Sequence, residues 1–219
     1  MPDLIGKIGL KFFASAIASI SHEIKNRIAV INEQAGLLDD LLLMHEQGRE
    51  LEPERLKRMA DSVKKQVAIA DSITINMNRF AHTLDSSRKL VAVDELIRMA
   101  VAMATRKANM HSVDLEIPPS QASVSVGTSP FFLIHLIWVC INAGIEITEK
   151  NGTISVSCEK TDPGASLKIC MRGTNQEDMA LPEHAAALAE FLEASLWSDP
   201  EKKQFIIKLS ADMGQDSVL

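Results

Sequence analysis

Two long runs of apolar residues at spacings of three and four constrain this chain more than any other feature. In the first, Ile17, Ile20, Ile24, Ile28, Ile31, Ala35, Leu38 and Leu42 follow one another. In the second, Leu56, Met59, Val63, Val67, Ala70, Ile73, Met77, Phe80 and Leu84 do the same. That period is the stripe of a helix packed on a helix and does not suit a strand. The break between the runs is His45-Glu-Gln-Gly-Arg-Glu-Leu-Glu-Pro53. Gly48 suits a helix end, and Pro53 suits the first turn of the next helix. A long antiparallel helical hairpin over residues 1–89 follows. At ~1.5 Å per residue, arms of about 35–40 residues run more than about 50 Å. A lone two-helix hairpin buries too little apolar surface to be stable. Two copies pairing into a four-helix bundle solve that problem, so a homodimer is expected.

From residue 90 to 219 the pattern changes to short strands alternating with helices. Strands are predicted at Val91–Val93, Val113–Ile117, Val124–Val126 and Phe205–Leu209, with a hairpin of Thr153–Cys158 and Leu167–Met171. Helices are predicted from Asp94 (as cap) to Lys107, from Pro130 to Thr148 and over Glu183–Leu196. This is a helix-on-sheet α+β layer. The length of 219 residues allows one large or two small domains. The formal net charge is −6, and it is uneven: residues 1–90 carry +1 and residues 91–219 carry −7. That balance excludes a general nucleic-acid binder, which needs a basic face. With aromatics at 4% and no tyrosine, a base-stacking platform is excluded as well. Cys140, Cys158 and Cys170 are odd in number, lack CxxC spacing and sit among apolar residues, so they read as buried free thiols in a reducing compartment. The longest uninterrupted apolar stretches, Phe12–Ile20 and Phe131–Val139, are shorter than the ~18–20 residues of a span. Neither membrane insertion nor a cleaved leader is expected, and the chain reads as cytoplasmic.

The segment with most chemistry in it is Ser21-His22-Glu23-Ile24-Lys25-Asn26-Arg27. At about 100° per residue, His22 lies roughly 200° from both Ile20 and Ile24 and so faces away from the helical seam. Asn26, four residues on, shares its face, and Glu23 sits beside it. An imidazole on a rigid helix is a nucleophile near neutral pH. A neighbouring carboxylate can fix its tautomer or act as general base, and an amide can orient a phosphoryl oxygen or a water. The plain alternative is an ordinary exposed histidine. A zinc motif is excluded, because position 26 is Asn rather than His. His45 and His82 fall near opposite ends of the hairpin. His111, His135 and His184 have no evident catalytic neighbours, and Met77, Met99, Met103 and Met110 read as core.

The stretch ISHEIKNRIAVINEQAGLL resembles the phosphoacceptor segment of bacterial sensor histidine kinases, matching at Ser21, His22, Glu23, Lys25, Asn26 and Ile28. That family carries Pro where this chain has Arg27. The order of elements after residue 90 is similar to the kinase ATP-binding domain. The resemblance implies a dimeric phosphoacceptor hairpin followed by an ATPase-type α/β sandwich, and a degenerate one. Where the kinases carry Asn-x-x-x-Asn-Ala-x-Lys, this chain has Trp138, Asn142, Ala143 and Ile145. An indole cannot replace an oxygen ligand of Mg²⁺. Only Asn142 survives, as a cofactor contact if ATP binds at all. The Asp-x-Gly-x-Gly motif is replaced by Arg172-Gly173-Thr174-Asn175, and the glycine-rich lid expected over 174–190 is missing.

The resemblance therefore implies a histidine phosphotransferase rather than an ATP-dependent kinase. His22 is the phosphoacceptor, Glu23 orients or deprotonates it, and Asn26 positions oxygens. Lys25, Ile28 and Ala29 dock the receiver domain of a response regulator. No metal or cofactor is held by this chain; Mg²⁺ arrives with the receiver. An upstream histidine kinase is a further partner. No sensor domain precedes residue 5, as expected of a relay component. The competing readings are a true sensor kinase or phosphatase with an atypical ATP site, an inactive dimer that sequesters a receiver, and an unrelated helical scaffold.

Overall fold

The structure is a computed structural model that describes residues 2–119, 123–174 and 179–211. Helix α1 spans Pro2–Glu46 and α2 spans Pro53–Ala81. Between them Gly48 adopts φ +89°. The Gly48 N–H donates to the His45 carbonyl (2.8 Å) and the Arg49 N–H to the Met44 carbonyl (3.1 Å). Those paired bonds form a Schellman ending, which needs a left-handed residue at this point. The helical hairpin expected from the two apolar runs is thus present, turning where Gly48 and Pro53 indicated. By contacts the chain divides into two compact units, one of Ala14–Arg79 and one of Met1–Phe13 with Phe80–Leu219.

Within the hairpin unit, the predicted row is half-buried at Ile17, Ile20, Ile24 and Ile31 on α1 and at Leu56, Met59, Val63, Ala70, Ile73 and Met77 on α2, but along α1 part of it is displaced by one residue. Ile24, Arg27, Ile31 and Gln34 are half-buried and Leu41 is buried. The expected seam residues Ile28 (47% exposed), Leu38 (40%), Leu42 (46%) and Val67 (51%) remain open. The apolar stripe is wider than one helix can cover. The neighbour within the chain takes the flank at 27, 34 and 41, and the flank at 28, 35 and 42 is left uncovered.

The other unit is built on a five-stranded sheet. After a short 3₁₀ turn (His82–Leu84) come β1 (Lys89–Ala92), α3 (Val93–His111), β2 (Asp114–Glu116), β3 (Ser125–Thr128) and α4 (Pro130–Ile147). They are followed by β4 (Thr153–Lys160), β5 (Ala165–Arg172), α5 (Glu183–Phe191), β6 (Ser195–Asp199) and β7 (Gln204–Leu209). The large sheet runs β2-β4-β5-β7-β6, and β1 pairs with β3 as a separate antiparallel ribbon. β2 lies parallel to β4, with Leu115 opposite Ile154; the remaining pairs are antiparallel. On β4 the buried residues alternate, Ile154, Val156 and Cys158, as a sheet with one face on a core requires. α4 is apolar nearly all round and is buried nearly all round, because α3, α5, β4, β5 and the first turns of α1 all reach it.

Two predicted elements need correction. The helix predicted over Glu183–Leu196 ends at Phe191, and Ser195–Asp199 forms the edge strand β6. Glu193 adopts φ +51°, which no helix continues through. Asp94 is not the cap of α3: the cap is Ala92, without a side-chain bond, and Asp94 lies in the first turn, where a carboxylate complements the helix dipole. The turn at Asn151-Gly152 is as expected. A Cβ on Gly152 would lie 2.7 Å from the Arg172 carbonyl oxygen and 2.4 Å from Thr148 Cγ2, so only glycine fits. The cysteines are free, with Cys140 and Cys158 buried, and burial pushes the Cys140 thiol up to about 12.

Both α1 and α4 contain an 18-residue stretch long and apolar enough to cross a membrane by length and composition. This corrects the reading of uninterrupted runs, since a span tolerates isolated polar residues. The α4 stretch is 67% buried inside the fold and the α1 stretch 22%.

Candidate functional site

The hairpin sets the geometry around His22. Ile20 and Ile24 on either side of it are half-buried, while His22 is exposed, as its angular offset predicted. Lys25, Asn26 and Ala29 are exposed too and follow His22 at helical spacings of three, four and seven, which makes one solvent-facing strip. Ile28, also exposed, lies on the flank of that strip.

Within the strip, Asn26 Nδ2 lies 3.1 Å from His22 Nδ1. In this arrangement the amide donates to the ring lone pair, so the neutral imidazole carries its proton on Nε2. A half-turn of the amide brings Oδ1 to the same place. It then accepts from Nδ1–H and leaves the Nε2 lone pair free. Asn26 can therefore hold either tautomer, and only the second presents a nucleophile outward at Nε2. Glu23 does not take part in either. Its carboxylate lies 3.5 Å from the Arg27 guanidinium, and among the described residues no hydrogen bond joins it to His22.

Arg27 was not singled out by the sequence except as a substitute for proline. In the structure it ties two side chains together. Its Nη2 meets Glu23, its Nη1 donates to Gln66 Oε1 on α2 at 3.3 Å, and its Nε is buried without a partner. The signal available in sequence was its place in the heptad row that continues through Gln34 and Leu41. α1 runs unbroken through this position.

The second unit holds a cluster that sequence reasoning also missed. His135 on α4 is 3% exposed. Its ring stacks on Phe12 of α1 at 4.0 Å and 3° between planes, and the His184 ring lies 6.2 Å away. Burial, then the charge of His184, depresses its pKa to about 3; burial also lowers His184. His135 Nδ1 has no hydrogen-bond partner. The two histidines are 49 positions apart in sequence, and no local pattern links them.

The positions at which the resemblance implies nucleotide ligands are otherwise engaged. Trp138 packs 5.2 Å from Phe12. The Asn142 amide donates to the Trp138 carbonyl at 2.8 Å, a bond within its own helix. Arg172 pairs with Glu116 at 2.8 Å, and the Thr174 hydroxyl donates to the Ile147 carbonyl at 2.6 Å. Asn175 and part of the region expected to lack a glycine-rich lid lie outside the described residues. The donor set at Trp138, Asn142 and Ile145 does not fit a hard cation, which requires several oxygens. Among the described residues no cluster of three metal-ligating side chains occurs.

No protein-family profile and no curated protein matches this chain. Among solved structures it is similar to the catalytic domain of histidine kinase ThkA, over 59% of this chain and 100% of that one, at 13% identity and a TM-score of 0.49. It is similar to the Acinetobacter baumannii histidine kinase AdeS over 87% of this chain and 98% of that one, at 14% identity and a TM-score of 0.48. It is also similar to histidine kinase ThkA in complex with response regulator protein TrrA, over 92% of this chain and 63% of that one, at 16% identity and a TM-score of 0.45.

Proposed function

We propose that this protein is a histidine phosphotransferase of a two-component phosphorelay, acting in the cytoplasm as a homodimer. One observation carries the reading. His22 is the exposed residue of a phosphoacceptor-like sequence on an unbroken helix, with an amide one turn away that can fix its tautomer. In the transfer step the Nε2 lone pair attacks the phosphorus of a receiver's aspartyl phosphate. The P–O bond to the aspartate breaks, that residue leaves as carboxylate, and an Nε2–P bond forms. The ring proton stays at Nδ1, held by Asn26 Oδ1 or by a Glu23 carboxylate free of Arg27. The reverse step hands the phosphoryl group to a second receiver. Mg²⁺ comes with the receiver, and no step is routed through ATP. Lys25 and Ala29 on the same strip, with Ile28 on its flank, offer the receiver one charge and two apolar contacts. An upstream histidine kinase charges the first receiver. Exposed Leu38, Leu42 and Val67 supply the apolar surface for a second hairpin. The hairpin, 1–89, carries the transfer in this reading, and residues 90–219 form a kinase-like layer without a working nucleotide site.

The test is phosphotransfer from a panel of radiolabelled phospho-receivers, with His22→Ala and an ATP-only control. Acid-labile label on the wild type, absent from the variant and from ATP alone, is the expected result. Label from ATP alone would overturn the reading in favour of a kinase. Receivers losing phosphate while none appears on the chain would mean a phosphatase. Receiver binding unaffected by His22→Ala, with no transfer in either protein, would mean a sequestering scaffold.

A further inference from the structure

The arrangement around Arg27 assigns a regulatory part to a residue that no phosphoacceptor motif contains. We infer that Arg27 is a positioning residue that clasps Glu23 to α2 and withholds its carboxylate from the His22 ring until a partner breaks the clasp. The inference rests on the reading of His22 as phosphoacceptor and concerns the regulation of that same site.

Three features support it. First, an acid next to His22 would be expected to engage the ring, yet the Glu23 carboxylate lies 3.5 Å from Arg27 Nη2. A carboxylate paired with guanidinium is a weaker acceptor for a ring N–H, because part of its charge is already neutralised. Second, Arg27 is anchored at its far side, donating from Nη1 to Gln66 Oε1 at 3.3 Å on α2. The clasp therefore senses the register of α1 against α2, and a shift between the helices loosens it. Third, Arg27 is inserted in the apolar row between Ile24 and Ile31 with its Nε buried and unpartnered. A buried donor without an acceptor is costly to keep. It leaves this guanidinium held by its two terminal nitrogens alone, an arrangement that a competing anion can pull apart.

With Glu23 held away, the ring has only Asn26 for company. The amide arrangement present donates to Nδ1 and puts the proton on Nε2. Release of Glu23 supplies a full carboxylate acceptor for an Nδ1–H, stronger than the Asn26 amide oxygen, and so shifts the ring toward the tautomer with a free Nε2 lone pair. A partner that shifts α1 against α2 as it docks would break the Arg27–Gln66 anchor and so open the clasp.

The test uses the full-length protein and phosphoramidate, a small donor that labels histidine with release of ammonia and needs neither receiver nor ATP. Arg27→Met keeps the volume and removes the charge. Gln66→Leu breaks only the anchor on α2 and serves where Arg27→Met fails to fold. The expected result is that His22 labelling rises about fivefold to tenfold in Arg27→Met, the scale of one hydrogen bond, and by a smaller factor in Gln66→Leu, where the Arg27–Glu23 pair is loosened rather than removed. Ring ¹⁵N shifts of His22 should move from the Nε2–H toward the Nδ1–H tautomer, a change that loosened packing alone would not produce. In a Glu23→Gln background the gain should vanish, since the group being released is gone. Unchanged labelling and an unchanged tautomer in both variants, with His22 still labelled by phospho-receivers, would overturn the clasp and leave the phosphotransferase standing. No labelling of His22 from any donor, in wild type or variants, would overturn the phosphotransferase and the clasp with it.

Discussion

His135 should make this protein lose stability in mild acid, and its replacement by phenylalanine should remove most of that loss. The ring is almost fully buried and its pKa in the fold lies at about 3, against 6.5 for a free imidazole. The fold holds the neutral form, while the unfolded chain takes up a proton below about pH 6.5. Stability is therefore fully present above pH 6.5 and falls with pH until about pH 3. The slope approaches ~1.4 kcal/mol per pH unit, so the loss between pH 7 and pH 4.5 is about 2.5 kcal/mol. His184, lowered by burial as well, adds in the same direction. Glu146 and Asp199 are depressed carboxylates, and what they contribute is lost only below their ordinary values of 4.5 and 3.8, outside this window. Phenylalanine at 135 keeps an aromatic ring against Phe12, where the imidazole stacks at 4.0 Å, and has nothing to protonate. The assay is urea unfolding at pH 7.0 and 4.5, followed by Trp138 fluorescence in a Trp197→Phe background, because Trp138 lies 5.2 Å from Phe12 in the same cluster. Any packing offset of His135→Phe cancels in the difference between the two pH values. The reasoning fails if wild type and His135→Phe lose the same free energy between these pH values, or if the wild type loses none.

Two further variants test other parts of the structure. Gly152→Ala places a Cβ within 2.7 Å of the Arg172 backbone carbonyl and 2.9 Å of that of Glu149; since neither can rotate away, about 2–3 kcal/mol of stability should be lost, and an unchanged urea midpoint would contradict the turn described here. Leu38→Glu with Leu42→Glu puts charge on the open flank of α1; if the proposed dimer forms there, light scattering should show a dimer for the parent chain and a monomer for the variant, with helical content by circular dichroism retained.

What the sequence disclosed and what it withheld divide along a physical line. Gly48 and Pro53 marked the hairpin turn correctly because a helix end is a local event, decided by which residues tolerate a left-handed φ or lack an N–H. The exposure of His22 was legible for the same reason, since it follows from angular spacing along one helix. β6 was missed because Ala194-Ser195-Leu196-Trp197 continues an alanine- and leucine-rich helical pattern. What converts it to a strand is the left-handed Glu193 and pairing with β7, which depends on residues 204–209. Most of the hairpin seam was legible, on α2 above all, but on α1 it was placed one residue off at Ile28 and Leu42, where Arg27 and Leu41 are covered instead, because periodicity gives the width of an apolar stripe but not which flank the partner takes. Arg27 and His135 were the costliest omissions. The sequence presented Arg27 as a missing proline and His135 as a lone histidine. Each gains its chemistry from a residue far away in sequence, Gln66 for the first and Phe12 for the second. A charged or titratable side chain inside an apolar run is therefore the sequence signal to follow. Burying it is expensive, so where the chain keeps it there, some distant group must make the position tolerable or make it useful.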